Sequence, residues 1–209
     1  MTASAAWLTN RGRAKRGEFL TLGQFTETKL LVPRLLSGRQ DGAIQELTKR
    51  MEATGRISNA PSFVEAALKR ELDLPTFAGD GVAVPHVRGG AVRELSVAVG
   101  LSATGICWGR AGRRTAHAVF LFAVPLAEAA TYLALLSGLS SLIFDETAFA
   151  SLKHAKQPEE MLRVLHRGSP RSSGCSIWRA LPCLIRCYCR GLLCALSRVN
   201  PWCPAYAAC

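Results

Sequence analysis

The chain predicts an α/β protein: a mixed β-sheet flanked by helices on both faces, in one domain that ends in a disordered basic tail. Three observations carry this expectation. Residues 95–102 alternate apolar and small side chains, with Leu95, Val97, Val99 and Leu101 on one face and Ser96, Ala98, Gly100 and Ser102 on the other, as a strand requires. Residues 116–124 are almost wholly apolar, the pattern of a strand covered on both faces. On either side of this pair stand segments with helical spacing, in the order ααββαα, which suits helices layered on a sheet.

The first helix is expected from about Asp41, where Ile44, Leu47 and Met51 recur at helical spacing among Gln45, Glu46, Lys49 and Arg50. Gly55 supplies its stop. The second is expected from about Pro61 to Glu71. Ser62 and Glu65 fit a capping box, and Lys69 and Arg70 bring positive charge to the last turn, where the helix dipole favours it. From Asp73 to Arg88 the pattern changes. Pro75, Gly79, Gly81 and Pro85 exclude a long helix, so short strands and loops are expected, with a turn at Gly89-Gly90. The two strands follow, and Pro125 ends the second. Tyr132, Leu135, Leu136, Leu139, Leu142 and Ile143 then trace a long amphipathic helix. Two shorter helices are expected at about 146–153 and from Pro158, a favourable first helical residue, to Leu165.

Charge and cysteine divide the chain into three parts. It has 209 residues and a formal net charge of +11. Between Leu22 and His166, however, 16 Lys and Arg face 14 Asp and Glu. The excess lies in the ends: Arg11, Arg13, Lys15 and Arg16 before Leu22, and six arginines with no acid after His166. A basic pI arising this way does not mark a nucleic-acid-binding domain, and no nucleic acid is expected as a partner. Residues 1–21 read as a flexible basic segment, 22–166 as the folded domain and 167–209 as a disordered tail rich in Cys and Arg. Ala5 to Leu8 is too short for a signal core. No run of about 18 apolar residues forms a membrane span, since Arg186 and Arg190 interrupt the best candidate, 180–197. The expected location is cytoplasmic.

Seven of the eight cysteines fall in the tail. Cys183, Cys187, Cys189 and Cys194 lack the Cys-x2-Cys pairs usual in zinc modules, and no His follows His166. Nor does any tail cysteine sit in a strand–loop–helix context. An Arg-only segment also suits contact with anionic surfaces. The absence of Lys, Asp and Glu over these 43 residues equally fits translation in a shifted frame, which the other two frames of the gene would decide.

The chemistry points to His86. Neutral imidazole is a nucleophile near physiological pH. Pro85 restrains the backbone before it, glycines upstream allow tight turns, and Arg70 and Arg88 offer forked donors suited to phosphate oxygens. Asp80 suits a turn, His117 a satisfied histidine in a buried strand, His154 the surface near a helix end, and Cys107 and Trp108 the core or a strand end. No Ser-His-Asp set or carboxylate pair indicates a hydrolase.

Arg70, Glu71, Thr76, Gly79, Gly81, Ala83, Pro85 and His86 stand at the spacing of a known signature, without a gap. The segment resembles the fructose/mannitol-type enzyme IIA domain of the bacterial phosphoenolpyruvate-dependent sugar phosphotransferase system, a family that includes the nitrogen-regulatory IIA proteins. The similarity runs from about Leu22 to Leu165 and includes Val119 to Pro125. The resemblance implies a phosphotransferase component that uses neither metal nor organic cofactor. His86 is then phosphorylated by an HPr-type histidine phosphocarrier, Arg70 stabilises the phosphate, with Arg88 and Thr76 as further phosphate-binding candidates, and an enzyme IIB cysteine is the acceptor. The alternative it implies is a regulator that binds partners according to its phosphorylation state. One position departs from the pattern: Tyr132 stands where family members usually carry a second histidine. A phenol can donate a hydrogen bond but does not titrate near neutrality.

Overall fold

The computed structural model describes residues 20–109, 112 and 114–167. The expected flexible segment, except for Leu20 and Thr21, and the expected tail beyond Arg167, with its seven cysteines, lie outside the described residues. The described chain opens with two single-turn 3-10 helices, Leu22–Phe25 and Thr28–Leu30. The elements that follow are β1 (Leu31–Val32), α1 (Gln40–Ala53), α2 (Ala60–Asp73), β2 (Phe77–Gly79), β3 (Val82–Ala83), β4 (His86–Arg88), β5 (Ser96–Trp108), β6 (Arg114–Val124), α3 (Ala129–Phe144), α4 (Glu146–Lys153) and α5 (Pro158–His166). They form a six-stranded mixed sheet in the order β1-β5-β6-β3-β2, with β4 also on β6.

The sheet separates two cores, as the alternation in β5 and β6 requires. Val97, Val99 and Leu101 of β5 join Ala118, Phe120, Phe122 and Val124 of β6 on one face, where Tyr132, Leu135 and Leu139 of α3 and residues of α4 and α5 cover them. On the other face Ala98, Val119, Leu121 and Ala123 meet Ile44, Leu47 and Met51 of α1 and Phe63 and Ala67 of α2. The small-residue face of β5 is therefore a requirement of close approach. A Cβ on Gly100 would lie 2.6 Å from the Leu35 side chain. Each fully buried Leu, Ile or Phe stabilises the fold by about 1.5–3 kcal/mol relative to its exposed state, so these two cores dominate the energetics.

The sequence elements are found with four adjustments. First, β5 runs six residues further than the alternation indicates. Its pairing with β6 slips between Leu101↔Ala118 and Ile106↔Ala116, and Gly105 at the slip has φ +85°, so the strict period is lost while pairing resumes beyond it. Second, α2 begins at Ala60, and its cap is Asn59, whose side chain accepts from the Ser62 amide at 2.9 Å. The Ser62–Glu65 capping box is thus corrected: Ser62 is already inside the first turn, and Pro61 sits within the helix, where the missing N–H is harmless. Third, the periodicity does not announce β1, a two-residue strand parallel to β5. Fourth, Leu20 packs half-buried against the first core, and the Thr21 amide bonds the Gln24 side chain at 3.0 Å, so the folded body begins slightly before Leu22.

The chain between α2 and β5 is shaped for the site. Gly79, Asp80 and Gly81 all have positive φ (94°, 48° and 73°), so the β2–β3 turn passes through three consecutive left-handed residues. Glycine adopts that region freely and Asp tolerates it, which assigns Asp80 the turn role expected for it. Gly81 is also sterically confined, because a Cβ there would lie 3.0 Å from Cδ2 of His117. No single helix among the described residues is long and apolar enough to cross a membrane; α3 and α4 together have the length and composition but meet at a 90° bend.

The turn geometry yields a test. Gly81→Ala must hold an L-residue in the left-handed region against His117, which costs about 1–2 kcal/mol or more. Gly90→Ala, at a position with no neighbour within 4 Å and no positive φ, should change stability by less than about 1 kcal/mol. Urea unfolding midpoints of the two variants measure the difference.

Candidate active site around His86

β6 is the rail on which the site is built. Its first half pairs parallel with β3 (Val82↔Ala118, Ala83↔Val119) and its second half with β4 (His86↔Phe122 to Arg88↔Val124). Between the two, Val84 and Pro85 are buried. Pro85 has no N–H, but its carbonyl accepts from the Phe122 amide at 2.9 Å. The ladder is therefore interrupted for one step and resumed at once. That break delivers His86 to the start of β4 with its imidazole half-buried beside α3.

The imidazole has three structural constraints. Nδ1 lies 3.4 Å from the carbonyl oxygen of Val84, which can only accept, so a hydrogen bond there takes the hydrogen on Nδ1. The ring of Tyr132 lies beside it, with centroids 5.7 Å apart and planes at 36°. Tyr132 is itself 1% exposed and packs edge-on against Phe122 at 5.3 Å. Finally, burial together with the adjacent Arg70 guanidinium holds the His86 pKa down at about 4, while the Val84 carbonyl opposes the shift weakly. At neutral pH His86 is consequently a neutral imidazole beside a fixed positive charge.

The structure brings His86, Arg70 and Tyr132 together, although 46 residues separate His86 from Tyr132 in the chain. The other two phosphate-binding candidates have different partners. Thr76 donates its hydroxyl to Glu71, and its amide also donates to that carboxylate, at 3.1 Å. Arg88 is exposed and donates from Nη2 to the Leu126 carbonyl at 2.6 Å. His117 is half-buried with Nδ1 3.0 Å from the Ser102 carbonyl, and the exposed His154 caps α4 with Nδ1 2.8 Å from the Ala150 carbonyl, both as the pattern indicates. Cys107 and Trp108 end β5, the first exposed and the second fully buried.

Sequence reasoning assigns no function to Glu71 beyond its place in the motif. In the structure it is the hub of the site's floor. It is 4% exposed and accepts from the Trp108 indole at 3.1 Å, from Gln40 at the start of α1 at 3.4 Å, and from both donors of Thr76. Burial raises its pKa, and the bonds from Thr76 and Trp108 oppose that shift. The available signal was an acid on the apolar side of an otherwise ordinary helix, a placement that demands donors.

Comparison with known proteins agrees with this geometry. Residues 25–168 match the family model for the phosphoenolpyruvate-dependent sugar phosphotransferase system, EIIA 2. The chain belongs to that family. It is 34% identical over 152 residues to the 2-O-alpha-mannosyl-D-glycerate-specific EIIABC component of Escherichia coli, covering 71% of this chain but only 23% of that much longer protein. With the fructose-specific EIIA component of Haloferax volcanii it shares 30% identity over 126 residues, 60% of this chain and 82% of the relative. Among solved structures, the nitrogen regulatory protein IIA-Ntr of Neisseria meningitidis has the same fold at a TM-score of 0.62 and 21% identity, covering 69% of this chain and 98% of that one. The complex of IIA mannitol with phosphorylated IIB mannitol from Escherichia coli also matches, at a TM-score of 0.56 and 22% identity over 67% of this chain and 96% of the matched chain. The mixed sheet with helices on both faces is thus the fold of the family.

The electrostatics are open to measurement. In an NMR titration His86 should protonate with a midpoint of about 4. Arg70→Gln should raise that midpoint, though not to the 6.5 of an unperturbed imidazole, because burial is the larger cause. A wild-type midpoint near 6.5 would contradict the site as described. The linked stability effect has a definite sign. A histidine with a depressed folded pKa leaves stability unaffected above about 6.5 and lowers it as pH falls from there towards 4, where the unfolded chain binds the proton and the folded one does not.

Proposed function

We propose that this domain is a cytoplasmic phosphohistidine carrier: His86 accepts a phosphoryl group from an HPr-type histidine phosphocarrier and passes it to a cysteine of an enzyme IIB domain. The observation that carries this reading is the imidazole itself, kept neutral by burial and by the charge of Arg70, with Nδ1 turned to the Val84 carbonyl. In the forward step the Nε2 lone pair attacks phosphorus. A P–N bond forms to His86 while the P–N bond of the donor breaks, and the donor imidazole keeps the electron pair. In the second step a cysteine thiolate attacks the same phosphorus, and His86 recovers its pair. Neither step requires a metal, an oxidant or an organic cofactor. Both require alignment and compensation of charge on the transferred group.

Arg70 suits the second requirement. The phosphoryl group adds two units of negative charge or slightly less, and the guanidinium that disfavours a proton on His86 favours an anion there. Arg88 and Thr76 fit the same role only on exchanging their bonds to Leu126 and Glu71, so we assign them secondary contacts with the phosphate. Tyr132 replaces a titratable neighbour with a phenol. It can orient the imidazole by packing and a hydroxyl bond, without taking up a proton in the physiological range.

Macromolecular partners fit the surroundings. Leu126, whose carbonyl Arg88 grips, is 60% exposed, and Leu133, beside Tyr132 on α3, is 45% exposed. Exposed apolar side chains with neighbouring arginine suit transient docking of an acidic-rimmed protein carrying the phosphorylated residue. The match to a IIA–IIB complex supports the same partner class. A regulatory role, in which the phosphorylation state of His86 governs partner binding, is the second reading; the fold match to a nitrogen regulatory IIA protein supports it.

Incubation with phosphoenolpyruvate, enzyme I and the histidine carrier should place one acid-labile phosphate on the protein. His86→Ala should abolish it, and Arg70→Gln should slow labelling on the order of a hundredfold, the effect of removing one preorganised charge-stabilising donor. Absence of label on the wild type, or undiminished label on His86→Ala, would overturn the carrier reading.

A further inference from the structure

A continuous hydrogen-bonded path runs from the buried Glu71 carboxylate to the imidazole. Glu71 accepts from the Thr76 amide at 3.1 Å and from the Thr76 hydroxyl. The Thr76 carbonyl accepts from the Val84 amide at 3.0 Å. The Val84 carbonyl in turn faces Nδ1 of His86 at 3.4 Å. The other side of the carboxylate is anchored in the body of the protein, by Trp108 at the end of β5 and by Gln40 at the start of α1. Gln40 is locked as well, since its Oε1 accepts from the Gly109 amide at 2.9 Å. Glu71 is also the immediate neighbour of Arg70 in the last turn of α2, which closes when the Leu74 amide bonds the Arg70 carbonyl at 2.9 Å.

We propose that Glu71 is the positioning residue of this site: its buried carboxylate fixes the Thr76–Val84–His86 path and the Arg70 end of α2 in one geometry, and so keeps the His86 proton on Nδ1 and Nε2 aimed at the incoming phosphorus. The inference deepens the carrier reading and rests on it. The physical reason lies in the cost of alternatives. A carboxylate removed from water must keep its donors, so any sliding of the 76–84 segment relative to α2 leaves buried acceptors unpaired, at about 1–3 kcal/mol or more for each. The β2–β3 segment is too short to hold itself: β3 has two residues and β2 three. A side chain with donors from β5, α1 and the segment before β2 supplies the missing rigidity, and an imidazole that faces the Val84 carbonyl registers any loss of it. Glu71 does not touch the transferred group, so its effect falls on alignment and not on binding of the donor.

The test uses the full chain and four variants, Glu71→Leu, Glu71→Gln, Thr76→Val and Thr76→Ser. Long-range nitrogen–proton correlation NMR reads the His86 tautomer on the unphosphorylated protein, and labelling with the phosphorylated carrier gives kcat and KM. The wild type should show the Nδ1–H tautomer. Glu71→Leu and Thr76→Val should mix the tautomers and lower kcat on the order of a hundredfold with KM for the carrier nearly unchanged. Thr76→Ser and Glu71→Gln, which keep polar partners in place, should recover much of both signals. If Glu71→Leu does not fold, Thr76→Val, which removes one hydroxyl from a half-buried residue, decides the matter. A wild-type tautomer and kcat in folded Glu71→Leu or Thr76→Val would overturn the proposal. An unlabelled wild type would overturn the carrier reading instead, and the tautomer measurement would still judge Glu71 by itself.

Discussion

Parallel pairing of two short strands to one buried strand is the constraint on which everything else depends. β6 is covered on both faces, so its backbone groups must be satisfied by neighbours on both edges. On one edge β5 does this along most of its length. On the other, β3 and β4 divide the work, and Pro85 is the joint between them. A single long strand there would bury every second side chain and point the rest at α1 and α2. The broken one instead ends its buried run at Pro85 and leaves the next residue, His86, half-buried beside Tyr132 of α3. His86 is where it is because β6 has to be paired and Pro85, which offers a carbonyl to Phe122 but no N–H, interrupts the ladder just before it.

Burial acts on both ionisable groups of the site. For His86 it removes the proton, since a half-buried imidazole next to a guanidinium is costly to charge. For Glu71 it likewise disfavours the charged form, but here two bonds from Thr76, one from Trp108 and the charge of Arg70 resist. The same Arg70 charge acts on both: it adds to the effect of burial at His86 and opposes it at Glu71, where the bonds from Thr76 and Trp108 oppose it as well. Tyr132 completes the arrangement by filling the remaining side of the imidazole with a ring that belongs to the apolar core through Phe122. His86 is therefore in mechanical contact with the packing of α3 on the sheet.

Membership of the enzyme IIA family accounts for the scaffold and the class of chemistry, while the particulars of this chain lie in a few positions. The chain spans under a quarter of the length of its 34% identical Escherichia coli relative, and that relative's sugar belongs to the whole of that protein. What distinguishes this domain at the proposed site is that the neighbour of the histidine is an aromatic phenol.

Periodicity and spacing by themselves determined the α/β layering, the alternating faces of β5, the covered β6 and helices from about Asp41, through Tyr132 to Ile143, at about 146–153 and from Pro158 to Leu165, while the resemblance grouped Arg70, Gly79, Gly81, Pro85 and His86. These are local properties: a face repeats every two residues in a strand and every 3.6 in a helix, and a left-handed turn needs glycine where it occurs. Tertiary structure alone decided that Tyr132 lies on the His86 ring, that Thr76 and Arg88 bond Glu71 and Leu126, that Asn59 and not Ser62 caps α2, and that Glu71, Trp108 and Gln40 converge. Each of these depends on strand register or on which side chain wins a shared donor, and both are settled by pairing across tens of residues. Local pattern can state that a buried acid needs partners; only the packed sheet selects which ones come within reach.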